Sequence, residues 1–270
     1  MPSFDRPTCT IFYEDTGPRD APAVVLLPSL LCDVEMFAHL ANNLADRYRV
    51  LHVEMRGHGR SSAPTKRFTQ EDQADDVAAI LDHAGVQSAV LVGLSQGGFT
   101  AMRCALYHPS RVRALVLLNT SAATESAVNR AKYMAMAASV LAMGVTDPIA
   151  EAVLPLMFSE GFIASKSPVI EHWKQKWLAL DKRGAFLAVD AVANRGDLRS
   201  LLPKIASPTM VISGDGDRAL PPAKGEEIAQ SIPGARYVLL EGAGHLSTVE
   251  QPEHTTSLVR GFIDGLGLSA

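Results

Sequence analysis

Short apolar runs, each separated from the next by a longer stretch of helical periodicity, constrain this chain more than any other feature. The runs lie at 23–27, 48–54, 89–93, 114–119, 208–214 and 235–241, and the helical stretches at 37–46, 70–84, 97–108, 224–232 and 252–266. Ala23-Val24-Val25-Leu26-Leu27 and Ala89-Val90-Leu91-Val92 are apolar at every position. Neither face of such a strand can meet water, which is the pattern of a parallel sheet covered on both sides. The expected class is therefore α/β, with a mostly parallel central sheet flanked by helices. A chain of 270 residues is long enough for one such domain plus an insertion.

One segment breaks the rhythm. From 121 to 202 there is no convincing strand, only helix-forming sequence rich in Ala, Leu and Met. The reading is a core of 1–120 and 203–270 with a helical insertion at 121–202. The insertion starts after the 114–119 strand and ends just before the 208–214 strand, so it would sit over the carboxyl edge of the sheet, where open α/β sheets bind ligands. That makes it a candidate lid; the alternative is a set of helices that simply packs on a sheet face.

The 89–93 run leads into Gly93-Leu94-Ser95-Gln96-Gly97-Gly98 and then a helix. This is the strand-turn-helix context of a G-x-S-x-G nucleophile elbow, in which glycines let neighbouring backbone approach a serine held on a tight turn. A serine hydroxyl is a weak nucleophile near neutral pH, so it needs a base, and the base needs a third group to fix its tautomer. Of the eight histidines, His245 follows the 235–241 strand across a glycine-rich loop near the chain end, where the order serine, acid, histidine places it. His58, within Arg56-Gly57-His58-Gly59-Arg60-Ser61, precedes the serine and reads as part of a structural turn. The 208–214 strand ends in Asp215-Gly216-Asp217. Asp217 is the favoured acid, with Asp215 as competitor and a turn-bonding role as the alternative. An oxyanion hole needs two backbone amides, one after the nucleophile and one from the loop after an early strand. Gln96 and Leu30 supply them. Cys32, in the same loop as Leu30, has no basic neighbour and reads as a pocket-lining or packed thiol.

Composition narrows the function classes. A formal net charge of -4 and the absence of a basic run interleaved with aromatics argue against nucleic acid as a partner. No apolar run approaches the roughly 20 residues needed to span a bilayer, and the first residues lack the basic and apolar regions of a secretion signal. The expected location is cytoplasmic. Cys9, Cys32 and Cys104 are too few and too scattered for a disulfide framework or a metal site, and read as reduced thiols.

With these segments in place, the chain resembles the α/β-hydrolase superfamily over essentially its whole length. The elbow, Arg56-Gly57-His58-Gly59-Arg60-Ser61, Gly214-Asp215-Gly216-Asp217 and Gly244-His245 stand in that family's order. Within it, Asn119-Thr120-Ser121-Ala122 and His245-Leu246-Ser247-Thr248-Val249-Glu250 are most similar to the 3-oxoadipate enol-lactonase group. Two departures stand out: Pro28-Ser29-Leu30-Leu31 replaces that group's Asn-Ser-Leu-Gly type of loop, and Leu156-Met157-Phe158 stands where it tends to carry Arg-Trp-Phe. The lost arginine weakens the case for a di-acid lactone. Met134, Met136, Met143, Met157 and Phe158 instead suggest an apolar substrate, with plain helix packing as the alternative role for any one of them.

Ser29, Cys32, Met134, Met157, Phe158 and Leu246 are the expected pocket residues; Arg183 and Arg195 are the cations of the insertion that could meet a carboxylate. The resemblance implies hydrolysis of a small, largely apolar ester or lactone through an acyl-enzyme, with no metal or organic cofactor. Homo-oligomerisation is open. The competing readings are an enol-lactonase proper, acyl transfer, amide hydrolysis or cofactor-free oxygenation on the same scaffold, and a non-catalytic ligand receptor.

Overall fold

The computed structural model describes residues 2–268. Within them one sheet contains β1 Ser3–Arg6, β2 Cys9–Thr16, β3 Ala23–Leu27, β4 Arg49–Glu54, β5 Ala89–Leu94, β6 Val112–Leu118, β7 Thr209–Gly214 and β8 Arg236–Leu240, in the order β1-β2-β4-β3-β5-β6-β7-β8. β1 and β2 pair antiparallel and β2 joins β4 antiparallel; every later pairing is parallel. In register, Val24 lies between Val50 and Val90, and Leu118 beside Ile212.

The apolar runs become strands because each side chain finds a dry partner on its own face. Val25, Leu27, Leu51 and Leu91 pack with Val77, Ile80, Phe99 and Ile228 in one buried cluster. Val24, Leu26, Val50 and Val90 point the other way, toward Leu40, Leu44, Val259 and Phe262. This is the period-2 alternation of a strand, with both faces apolar. Each such side chain, fully buried, contributes about 1.5–3 kcal/mol relative to exposure. The helices that supply these faces are α1 Ala38–Leu44, α2 Gln70–His83 and α3 Gln96–Tyr107, and toward the C-terminus α9 Ala223–Ser231, α10 Ser247–Glu250 and α11 Pro252–Asp264. α2 starts at a capping box, in which the Thr69 hydroxyl accepts from the Asp72 amide and the Asp72 carboxylate accepts from the Thr69 amide.

Between β6 and β7 the described chain is helical: α4 Ala127–Met143, α5 Asp147–Met157, α6 Glu160–Ala164, α7 Pro168–Leu178 and α8 Lys182–Ala193, followed by a 3₁₀ turn at Arg199–Lys204. These helices share the core rather than standing off it. Val153, Leu154, Trp173 and Trp177 belong to the same buried cluster as Leu118 and Ile212. No helix among the described residues is long and apolar enough to cross a membrane.

The strands expected from apolar runs occur with ends moved by at most two residues, and the 23–27 strand with none. The β1–β2 hairpin was not anticipated. Its sequence, SFDR then CTIFYEDT, is half polar, because β1 is an edge strand with alternating exposure. A half-solvated edge carries a weaker signal than a strand buried on both faces.

Candidate active site

Ser95 occupies the single residue between β5 and α3, with φ 54° and ψ -110°. Such a conformation costs a non-glycine residue about 1–3 kcal/mol and persists only where the surroundings enforce it. Three hydrogen bonds do so: Ser95 N–H donates to Leu118 O at 2.9 Å, and Ser95 O accepts from Thr120 Oγ1 at 2.8 Å and from Phe99 N at 3.0 Å. The flanking glycines are required by space. A Cβ on Gly97 would strike the carbonyl of Leu27, and one on Gly93 would strike the backbone of Gly97.

Two further sheet ends bring the remaining polar groups to the same edge. His245 Nδ1–H donates to Asp217 Oδ2 at 2.8 Å, and both side chains are buried. Because the aspartate accepts at Nδ1, Nε2 is left as the ring nitrogen free to take a proton. Asp217 Oδ1 accepts from the Leu220 amide at 2.8 Å, so its carboxylate is fixed from two sides. Asp215 turns elsewhere and accepts from the Gly242 amide at 2.8 Å. Of the two competing carboxylates, it is Asp217 that meets the histidine.

Asn119 joins these parts, a role that the sequence did not reveal. It sits just beyond β6 at φ 45°. Its Nδ2 donates to Asp217 Oδ2 at 3.0 Å and to Gly244 O at 3.2 Å, while its Oδ1 accepts from Ser247 Oγ at 2.7 Å. One buried amide thus spans the aspartate and both flanks of His245. Glu250 adds a second brace. Its carboxylate accepts from the Gly244 amide at 3.0 Å and from Ser159 Oγ at 2.6 Å, tying the end of α5 to the histidine loop; burial pushes this carboxyl above its ordinary value. The only sequence signal for either residue was its place in the stretches quoted for the family resemblance.

The loop after β3 is held from below by His58. The Leu31 amide donates to His58 Nε2 at 3.0 Å, and His58 Nδ1 donates to Arg56 O at 3.0 Å. Acceptance at Nε2 requires the neutral ring, and burial lowers this histidine's affinity for a proton. Leu31 has φ 64°. In Ser29–Cys32 the other amides are occupied: Ser29 N–H contacts Met36 Sδ, Leu31 N–H contacts His58, and Cys32 N–H donates to Ser29 O. The Leu30 amide is left without an acceptor among the described residues. Gln96 is the first residue of α3, so its amide has no acceptor within the helix either.

Ser95, His245 and Leu30 line one cavity of about 100 Å³, walled mainly by apolar side chains of α4, α5 and α8 such as Met136, Val153 and Val189. Ser29 and Met157 line it. Four expected pocket residues do not. Met134 is displaced by Met136, which the turn of α4 brings to the wall instead. Cys32, Phe158 and Leu246 are consumed by the core, where burial also pushes the Cys32 thiol well above its ordinary value.

Of the two arginines, Arg183 bonds the carbonyls of Pro64 and Thr65, whereas Arg195 is buried in the cavity wall. There it pairs with Glu125 at 3.2 Å and lies over the Phe99 ring. The cavity wall therefore carries a compensated ion pair. Among the described residues no cluster of side chains is arranged to hold a metal ion.

A family model described as alpha/beta hydrolase fold matches residues 22–169 and 165–252. The chain is 31% identical over 241 residues to 3-oxoadipate enol-lactonase 2 of Acinetobacter baylyi, spanning 89% of this chain and 88% of that protein. Among solved structures, the enol-lactonase from Burkholderia xenovorans is 34% identical with a TM-score of 0.91, covering 97% of this chain and 100% of that one. A thermophilic esterase from Thermogutta terrifontis, with malate bound, is 30% identical with a TM-score of 0.92, covering 98% of this chain and 99% of that one.

Proposed function

The chain belongs to the α/β-hydrolase family, and on that footing we propose that it hydrolyses a carboxylic ester or lactone of a small, largely apolar substrate through an acyl-enzyme on Ser95. The observation that carries this reading is the Asp217–His245 pair opening onto the cavity that Ser95 and the unoccupied Leu30 amide also line. In the first step Ser95 Oγ bonds to the substrate carbonyl carbon while its proton passes to His245 Nε2. The carbonyl π electrons move onto oxygen, where the Leu30 and Gln96 amides receive the charge. Collapse expels the alcohol oxygen, which takes the proton from His245. Water then repeats the sequence, releasing the acid and restoring Ser95. Asp217 orients the imidazole and stabilises its cation.

The cavity wall supports a neutral substrate. Met136, Val153 and Met157 offer no hydrogen bonds, and Arg195 is already neutralised by Glu125. The helices of the insertion would act as the cap that excludes water from the acyl-enzyme. The test is labelling with a fluorophosphonate, which bonds covalently to an activated serine. Wild type is expected to label stoichiometrically and Ser95→Ala not at all; equal labelling of both, or of neither, rejects the assignment. His245→Ala is expected to reduce turnover of p-nitrophenyl butyrate by several orders of magnitude, as in other coupled triads.

A further inference from the structure

Behind the catalytic cavity lies a second, more enclosed chamber of about 30 Å³. It is formed where α4, α5, α7 and α8 meet, with Ala137, Val140, Ile149, Trp177 and Ala185 in its walls. Nearly all of its surface is apolar. The two spaces share a wall: Leu31, Met136, Val153 and Val189 line both. Leu31 is the link to the chemistry: it directly follows the free Leu30 amide, and its own amide is pinned by His58. A group bonded to Ser95 thus faces an apolar partition that includes Leu31 and Met136, and the flexible thioether of Met136 can re-pack to let a chain through.

From this shared apolar wall we infer that the chamber is a subsite for an unbranched alkyl arm of the substrate. The inference rests on the ester or lactone reading above and assigns that site its substrate class: esters or lactones carrying a medium-length saturated chain. The chamber's volume admits roughly two water-sized groups, so it takes the outer two or three carbons of a chain whose inner carbons lie in the catalytic cavity. A dicarboxylate is excluded from it, because the walls carry no cation to meet a second charge.

Each methylene moved from water onto an apolar wall multiplies affinity roughly three- to fourfold. With wild type, kcat/KM is expected to rise about tenfold between butanoate and hexanoate in a series of p-nitrophenyl esters, or between butyl and hexyl in a series of alkyl acetates. The first result places the arm on the acyl side, the second on the alcohol side. Ala137→Leu and Ala185→Val each fill the chamber from a position outside the catalytic cavity, and are expected to abolish that rise. The ratio of two rates from one preparation cancels any loss of folded protein. A ratio near one in wild type for both series, or an unchanged ratio in both variants, overturns the inference.

A binding readout separates this from a failure of the catalytic reading. Dimethyl hexylphosphonate, titrated by tryptophan fluorescence through buried Trp177, is expected to bind wild type about tenfold more tightly than dimethyl butylphosphonate. Ala137→Leu should remove the difference. Equal affinities would reject the chamber as a subsite, whatever the outcome of the serine labelling.

Discussion

Asn119→Asp changes one atom's identity and almost no volume, yet it reverses the sign of an interaction at the centre of the site. In wild type, Nδ2 donates to Asp217 Oδ2 at 3.0 Å. An aspartate would place a carboxylate oxygen there instead. Two unit charges at that distance repel by about 5 kcal/mol at an effective dielectric constant of 20. The lost hydrogen bond to a charged acceptor adds about 1.5–3 kcal/mol. The variant escapes most of this by taking up a proton between the two carboxyls. Bringing an ordinary carboxyl to its protonated form at pH 7 costs about 4 kcal/mol, and the cost falls by about 1.4 kcal/mol for each pH unit downward.

The folded variant then holds one more proton than its unfolded chain, so its stability must decline as pH rises. Urea denaturation of wild type and variant from pH 5 to pH 8 is expected to show a deficit that widens by about 1.4 kcal/mol per unit and reaches about 4 kcal/mol near pH 7. Asn119→Ala should show a deficit without that slope. Turnover of p-nitrophenyl butyrate at pH 7 is expected to fall at least a hundredfold in Asn119→Asp, because the shared proton takes from His245 the full anion that orients it. A pH-independent deficit, or near-normal turnover, would refute the placement of Asn119 as the brace of the acid.

Three further outcomes are expected. His58→Leu removes the acceptor for the Leu31 amide, so kcat should drop about tenfold with KM little changed. His58→Gln, which can accept at the same place, should recover part of it; an equal loss in both variants would show that the ring only fills space. His52 and His58 are buried, and burial lowers both, His52 to about 3. Their unfolded forms bind protons that the folded forms refuse, so stability is present above about pH 6.5 and is lost as pH falls below it. Each contributes up to about 1.4 kcal/mol per unit, and for His52 the loss continues toward pH 3. His52→Leu should flatten the acid limb of a urea-midpoint profile. Arg195→Met leaves Glu125 uncompensated in the cavity wall and should destabilise by about 3–5 kcal/mol. The double variant with Glu125→Gln should regain most of that in a thermal melt, and additive losses would show that the two side chains act independently.

The strands β3 and β5, the elbow around Ser95 and the helical segment between β6 and β7 were legible in the sequence. Each is written in consecutive residues: unbroken apolar runs record burial on both faces, and glycines beside the serine record a backbone with no room for Cβ. The place of His245 in the loop after the last strand was legible in the same way. The partners that hold these groups were decided by the tertiary structure. Asp217 meets His245 and Asp215 does not because of how the β7 and β8 ends face each other, and both carboxylates look alike in the chain. Asn119, separated from Asp217 and Ser247 by 98 and 128 positions, becomes a brace only when β6 and β7 lie side by side. The pocket shows the same division. Met134 and Met136 are equivalent as letters, and Cys32 and Phe158 are plausible linings, but helix rotation and core packing decide which side chains the cavity keeps. Local sequence records what a residue demands of its own backbone and of water, whereas pairing at a distance depends on the register in which separate elements pack.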